Sequence, residues 1–108
     1  MAQDFRNTIY SAIGTGQQLI LTAGNYDAIV GIRCCNILKT TIKVDVYITN
    51  SATNYYLCKN ASIPPGGSIE LIQGGSKVVG MLNDVFYAKS SDASSLDVIL
   101  SYVDTISS

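Results

Sequence analysis

Residues 42–49 read Ile42-Lys43-Val44-Asp45-Val46-Tyr47-Ile48-Thr49. The strict alternation puts Ile42, Val44, Val46 and Ile48 on one face and Lys43, Asp45, Tyr47 and Thr49 on the other, which is the period of a half-buried β-strand. The same grammar returns at Leu96-Asp97-Val98-Ile99-Leu100-Ser101-Tyr102-Val103. Turn residues punctuate the chain between these strands roughly every ten positions, the spacing of a sandwich or barrel. The expected fold is therefore all-β: an antiparallel β-sandwich of about eight strands with jelly-roll or Ig-like Greek-key connections.

Working outward, further strands are expected at Thr8 to Ser11, Gln17 to Thr22, Tyr26 to Leu38, Tyr55 to Lys59, Ser68 to Ile72, Lys77 to Leu82 and Val85 to Lys89, with the last running from Leu96 to Ile106. Tyr55 to Lys59 pairs back most simply on Asp45 to Asn50. Tyr26 to Leu38 is partly apolar on both parities, as a central strand or one covered on its outer face would be. Turns are expected at Gly14 to Gly16, Ala23 to Asn25, Asn50 to Asn54, Asn60 to Gly67, Gln73 to Ser76, Asn83-Asp84 and Ser90 to Ser95, where Gly, Asn, Pro and Ser concentrate. Pro64 and Pro65 lack amide donors and Pro-Gly marks a turn, so Ile63 to Gly67 cannot be a central strand. Residues 1–10 read as an N-terminal arm or edge strand, and residues 11–108 as a single domain.

Apolar residues make up 47% of the 108-residue chain and charged residues only 14%, against roughly 25% charged in ordinary soluble chains. Burial of apolar surface between subunits would reconcile this with solubility, so a homo-oligomer is expected. The net charge is −1, and the seven basic residues are scattered singly. No basic stripe exists to neutralise phosphates, which argues against nucleic acid. No apolar run approaches the roughly eighteen residues of a membrane span, so no membrane association is expected. The first residues carry no secretory pattern. Three cysteines are an odd number, and Cys34 and Cys35 are neighbours that point to opposite faces of a strand, which predicts free thiols in a reducing cytoplasm. With Cys58 alone and no histidine in the chain, no metal or other cofactor is expected.

The absence of histidine also removes the commonest general base and every Ser-His or Cys-His nucleophile. What remains for hydrolysis is a pair of carboxylates, of which Asp45 and Asp97 stand out on the outward faces of the two best-patterned strands. They read as solvated strand decoration, and no enzyme is expected. Gly74-Gly75-Ser76-Lys77 sits between two strands and reads as a hairpin turn, not a phosphate loop. Asn60-Ala61-Ser62 fits a glycosylation acceptor pattern that has no meaning without secretion. Seven tyrosines and no tryptophan remain. Tyr55-Tyr56 places one ring on each face of its strand, the inner as core and the outer as an interface, an unpaired surface ring or a sugar platform.

Thr49 to Val79, with Tyr55-Tyr56-Leu57-Cys58 and Ile63-Pro64-Pro65-Gly66-Gly67-Ser68, resembles small virion structural proteins of tailed bacteriophages, particularly phages of marine cyanobacteria. Val85-Phe86-Tyr87-Ala88-Lys89 followed by Ser90 to Ser95 and Leu96 to Tyr102 is similar to their strand, Ser/Ala loop and final Val-rich strand. Leu82-Asn83-Asp84 departs from that pattern, where an acidic or Gly-Asp turn is usual. The resemblance implies a non-enzymatic virion component, assembled in the host cytoplasm. A capsid decoration (cement) protein that binds the major capsid protein, with a trimer favoured, is the leading expectation. The alternatives are a tail, neck or fibre accessory protein and, from another class, a carbohydrate-binding module. The expected contact residues are Phe5, Tyr10, Tyr55, Tyr56, Pro64, Pro65, Gly66 and Gly67, with the segment Ala2 to Tyr10 engaging the shell or a neighbour.

Overall fold

Nine strands are seen among residues 5–23, 27–50, 52–72, 78–80 and 84–103, the part of the chain that the computed structural model describes. They are β1 (Phe5–Ile13), β2 (Gln18–Thr22), β3 (Asp27–Asn36), β4 (Ile42–Asn50), β5 (Thr53–Ile63), β6 (Ser68–Glu70), β7 (Val78–Gly80), β8 (Val85–Ser90) and β9 (Leu96–Val103). One antiparallel sheet has the order β1-β9-β3-β6, with β7 also paired to β3, and the other has the order β2-β8-β4-β5. The pairings nest, β4 on β5, β3 on β6 and β7, β2 on β8 and β1 on β9. The chain is in effect one long hairpin whose tip joins β4 to β5. It is rolled so that β8 meets β4 and β9 meets β3. This is jelly-roll connectivity, and it decides between the two arrangements that periodicity allowed.

The alternation of β4 does what its sequence asks. Ile42, Val44 and Val46 are fully buried and face Ile29, Ile32, Cys34, Val98 and Leu100 of the other sheet in one core that also holds Ile20, Ile63, Phe86 and Leu96. Each such side chain, taken fully out of water, contributes roughly 1.5–3 kcal/mol. β3 is the central strand expected from its two apolar parities, with β9 on one side and β6 and β7 on the other.

Three boundaries differ from expectation. β5 extends through Asn60 to Ile63, which the turn residues had suggested was loop, because the strand absorbs two irregularities of register and stays paired to Ile42. The β4–β5 turn is correspondingly short, since Thr53 and Asn54 are already in the ladder opposite Asn50 and Thr49. Residues 5–10 belong to edge strand β1, laid against β9 from Phe5↔Val103 to Tyr10↔Val98, which selects the edge-strand reading over a free arm. The expected turns at Gly24-Asn25, Gln73 to Ser76 and Asn83, and the end of the last strand from Asp104 to Ile106, lie outside the described residues, as do residues 1–4.

The connections β1–β2, β3–β4, β5–β6 and β8–β9 gather at one end of the roll. Ser90 N–H donates to Gly14 O, Ser91 N–H to Lys43 O, Ile37 N–H to Ser95 O and Asn36 N–H to Gly67 O, all at 2.8–2.9 Å. Asn36 is fully buried. Its Nδ2 donates to Thr40 O (2.7 Å), Ile63 O (2.9 Å) and Pro64 O (3.2 Å), and its Oδ1 accepts the Leu38 amide (2.8 Å). Pro64 to Gly67 is a type II turn: Gly67 N–H donates to Pro64 O at 2.9 Å and Gly66 has φ +69°, the position that favours glycine. A Cβ on Gly67 would fall 2.9 Å from Pro64 Cγ, so valine at either glycine attacks the fold itself.

Two predictions follow from this core. Asn36→Ala strips partners from three carbonyls and one amide in a buried site, so it is expected to cost about 3 kcal/mol in urea unfolding; a loss under half of that would show the loops hold without it. The second concerns Cys34, whose thiol is pushed from 9.0 up to about 12 by burial first, then by Cys58 and Glu70. Below pH 9 the thiol is protonated whether folded or not, and stability is flat in this respect. Between pH 9 and pH 12 the unfolded chain loses a proton that the folded one keeps, so stability falls as pH rises. Cys34→Ala is expected to flatten that alkaline slope by up to about 1.4 kcal/mol per pH unit, and an unchanged slope would assign it elsewhere.

Candidate functional site

Side chains on the outer surfaces of the two sheets are those the core does not use, and the registers place them in rows. On the β1-β9-β3-β6 sheet, Ile9 stands opposite Ile99, Ile99 opposite Arg33 and Arg33 opposite Glu70. Ile9 is 65% exposed and Ile99 43%. Val30, also exposed, sits at a register shift in β3 between Ile29 and Gly31. Ile9 and Ile99 thus form an apolar pair on this outer face, with Asn7 opposite Ser101 two residues along the strands and Arg33 beside Ile99. None of Ile9, Ile99 and Val30 drew notice in the sequence, where Ile9 and Ile99 each read as one more residue of an apolar strand.

On the β2-β8-β4-β5 sheet one row runs Leu19, Tyr87, Tyr47, Tyr56 across all four strands. The Tyr47 ring centroid lies 5.1 Å from that of Tyr56 and 5.6 Å from that of Tyr87, with tilted planes. Lys59 Nζ sits 4.6 Å above the Tyr56 ring. Tyr47 Oη donates to Gln17 Oε1. Tyr47, outward by alternation, is thus only 3% exposed, and its phenol is pushed upward by burial, with Tyr56, Tyr87 and Asp45 adding to the effect.

The expected contact residues divide. Tyr55 and Tyr56 are both exposed, at 58% and 41%, which corrects the expectation that one of them is core; β5 is a sheet edge with a register shift between Tyr56 and Cys58, so strict alternation fails there. Tyr56 has one neighbour in Tyr47 and another in Lys59. Tyr10 faces inward and packs against the core. Pro64, Pro65 and Gly66 are exposed and Gly67 half-buried at the loop end. The Ser90 to Ser95 loop shares that end, as the adjacent residues Asn36 and Ile37 bond to Gly67 and Ser95. Phe5 lies in β1 opposite Val103.

Asp45 and Asp97 lie on the outer faces of different sheets, β4 and β9, and share no cleft. Each has a local structural task. The register slips between Tyr10 and Ile13 in β1, where Ala12 has φ 56°, and again between Val44 and Val46 opposite β5, where Asn60 has φ 54°. Such bulges leave an amide without its ladder partner. Ala12 N–H donates to Asp97 Oδ1 at 3.0 Å, and Asn60 N–H to Asp45 Oδ1 at 2.7 Å. Glu70 acts similarly where β6 leaves the ladder, with Oε2 accepting from Ile32 N (2.7 Å) and Ile72 N (3.2 Å). Among the described residues, no three Cys, Asp or Glu side chains gather into a set that would hold a metal ion.

Compared with known proteins, the chain matches no family model, no curated protein and no solved structure. The surfaces above are therefore read on their own geometry. If Asp97 serves the bulge, Asp97→Ala leaves the Ala12 amide unpaired and costs about 1–3 kcal/mol, whereas Asp97→Asn keeps an acceptor oxygen and costs much less. Equal losses in urea unfolding for the two variants would mean that the carboxylate acts through its charge instead.

Proposed function

We propose that this chain is a non-enzymatic structural protein of a bacteriophage virion, with capsid decoration as its role and self-association, as a trimer, as its working state. The observation that carries the reading is the exposed Ile9–Ile99 pair on the outer face of the β1-β9-β3-β6 sheet. Exposed apolar side chains that pair across neighbouring strands, as Ile9 and Ile99 do, mark a protein contact, and charged residues are only 14% of this chain. The jelly roll is an architecture used by viral capsid domains and by lectins, a likeness of fold that raises both readings without deciding either. Absence of histidine and the commitment of Asp45, Glu70 and Asp97 to backbone amides favour a structural role over catalysis. The carbohydrate reading rests on the exposed rings of Tyr55 and Tyr56, of which Tyr56 already has Tyr47 and Lys59 beside it. The tail, neck or fibre role shares every feature named here and differs only in location.

A stable contact buries roughly 1,600 Å² in total, so the pair supplies the apolar centre of an interface and its polar rim comes from neighbouring Asn7, Ser101 and Arg33. Sedimentation in the micromolar range is expected to show an oligomer, and Ile9→Lys with Ile99→Lys is expected to yield monomers of 11.5 kDa with the parent's melting temperature. A parent that sediments as a clean monomer would overturn the self-association. Cryo-electron microscopy of the virion is expected to place the chain on the head lattice; density on the tail would transfer it to the accessory role, and absence from purified particles would end the proposal.

A further inference from the structure

With eleven residues, β5 is the longest strand described, and it ends the β2-β8-β4-β5 sheet. Among the described residues, Thr53 to Tyr56 ladder with β4 alone. The other sheet edges are fastened or blunted. β1 is tied across to β2, where Thr8 Oγ1 donates to Ile20 O at 2.8 Å. β2 has five residues and a register slip between Leu19 and Leu21, and β6 and β7 have three residues each. On β5 itself, the part beyond Leu57 carries Lys59 and the left-handed Asn60, φ 54°, a charge and a bulge of the kind that discourage pairing at an edge. Thr53-Asn54-Tyr55-Tyr56-Leu57 has no charge, proline or glycine.

The side chains of this stretch lack cover on the same side. From Tyr56 to Thr53 the register with β4 is unbroken: Tyr56 opposes Tyr47, Tyr55 opposes Ile48, Asn54 opposes Thr49 and Thr53 opposes Asn50. Directly opposed residues share a face of the sheet. Ile48 packs against the core, so Tyr55 stands on the inner face, yet it is 58% exposed. Tyr56, on the outer face beside Tyr47, is 41% exposed. The tyrosine row outside and the apolar lining inside therefore both break off at this one edge.

We propose that the Thr53 to Leu57 edge pairs with the same edge of a second copy, antiparallel, across a two-fold axis at Tyr55. One continuous sheet results, with four strands from each copy. Tyr55 meets its own counterpart, Asn54 meets Tyr56, and Thr53 meets Leu57. A second copy fits because an antiparallel edge is its own complement under a two-fold, and because this stretch sets no like charges against each other, Lys59 falling outside the pairing. Cross-strand aromatic pairs are among those that stabilise a ladder. The contact is separate from the Ile9–Ile99 face and does not rest on the virion reading. With five residues from each side it belongs to the weak class, under roughly 1,200 Å² in total.

Sedimentation of the Ile9→Lys/Ile99→Lys variant isolates this edge from the apolar face. The variant is expected to be monomeric at about 10 μM and to pass to a dimer, and no further, towards about 1 mM. Adding Tyr55→Lys is expected to weaken that dimer at least about tenfold, since like charges then meet directly across the axis. Adding Tyr55→Glu instead is expected to do the same. Mixing the two is expected to restore dimers, an outcome that requires residue 55 to face itself and both variants to be folded. Absence of a dimer up to about 1 mM, Tyr55→Lys without effect, a mixture that stays monomeric, or species that keep growing past the dimer would each overturn the proposal. The parent at micromolar concentration tests the apolar face separately, so failure of either contact is told apart from failure of the other.

Discussion

A jelly roll brings four connections to one end, and their backbone groups must be satisfied where water does not reach. In this chain one side chain meets most of that need. The carboxamide of Asn36, fully buried at the end of β3, bonds Thr40, Ile63, Pro64 and Leu38, while its own amide bonds Gly67. An amide is suited to this because it carries two donors and an acceptor with no charge to desolvate. The β3–β4 loop and the β5–β6 turn are thereby fixed to the same strand, and Ile37 extends the connection to Ser95 of the β8–β9 loop. Ser95 in turn donates through Oγ to Asp92 O at 2.7 Å and pairs with the hydroxyl of Ser90. The loop end is rigid because its polar groups have partners within the protein.

The rolled sheets demand bending, and bending is supplied by departures from the ladder. Each departure orphans an amide, and in three places a carboxylate on the neighbouring strand accepts it: Asp97 for Ala12, Asp45 for Asn60, Glu70 for Ile32. A charged acceptor is stronger than the carbonyl it replaces. It also reaches further, since a side chain adjusts to a register that a carbonyl cannot. This changes how the few acids of the chain are understood. Asp97, Asp45 and Glu70 are fittings of the backbone first.

Much of the architecture was legible from alternation, and the reason is physical: a strand between a core and water must alternate, so Ile42 to Thr49 and Leu96 to Val103 announce themselves. The same logic explains what stayed hidden. Alternation assumes an unbroken ladder, so it misassigned the inner ring of Tyr55-Tyr56, next to a register shift, and stopped β5 short of Ile63. It also treats each strand alone. Tyr47 is outward by parity, but its burial depends on Tyr56 and Tyr87 from other strands, whose register no single strand reveals. Asn36 carried no pattern at all, being one polar residue at the end of an apolar run. Asp45 and Asp97 were visible as unusual, yet their partners are backbone amides displaced by bulges, and bulges leave only a faint mark in sequence. Choice between jelly roll and Greek key depended on which strands pair across the roll, a long-range fact.

The two outer faces finally differ in kind, and the difference constrains how the subunit can be used. One face offers the exposed Ile9, Ile99 and Val30, with Arg33 and Glu70 at one side, a surface that gains by losing water and discriminates poorly among partners. The other carries a row of tilted tyrosine rings and polar groups already paired, Asp45 with Lys89 and Ser91 with Asp92. Hydrophobic burial is non-directional, whereas charge complementarity selects. A subunit that packs against its own copies through the first face leaves the second open, because the two sheets lie back to back across one core.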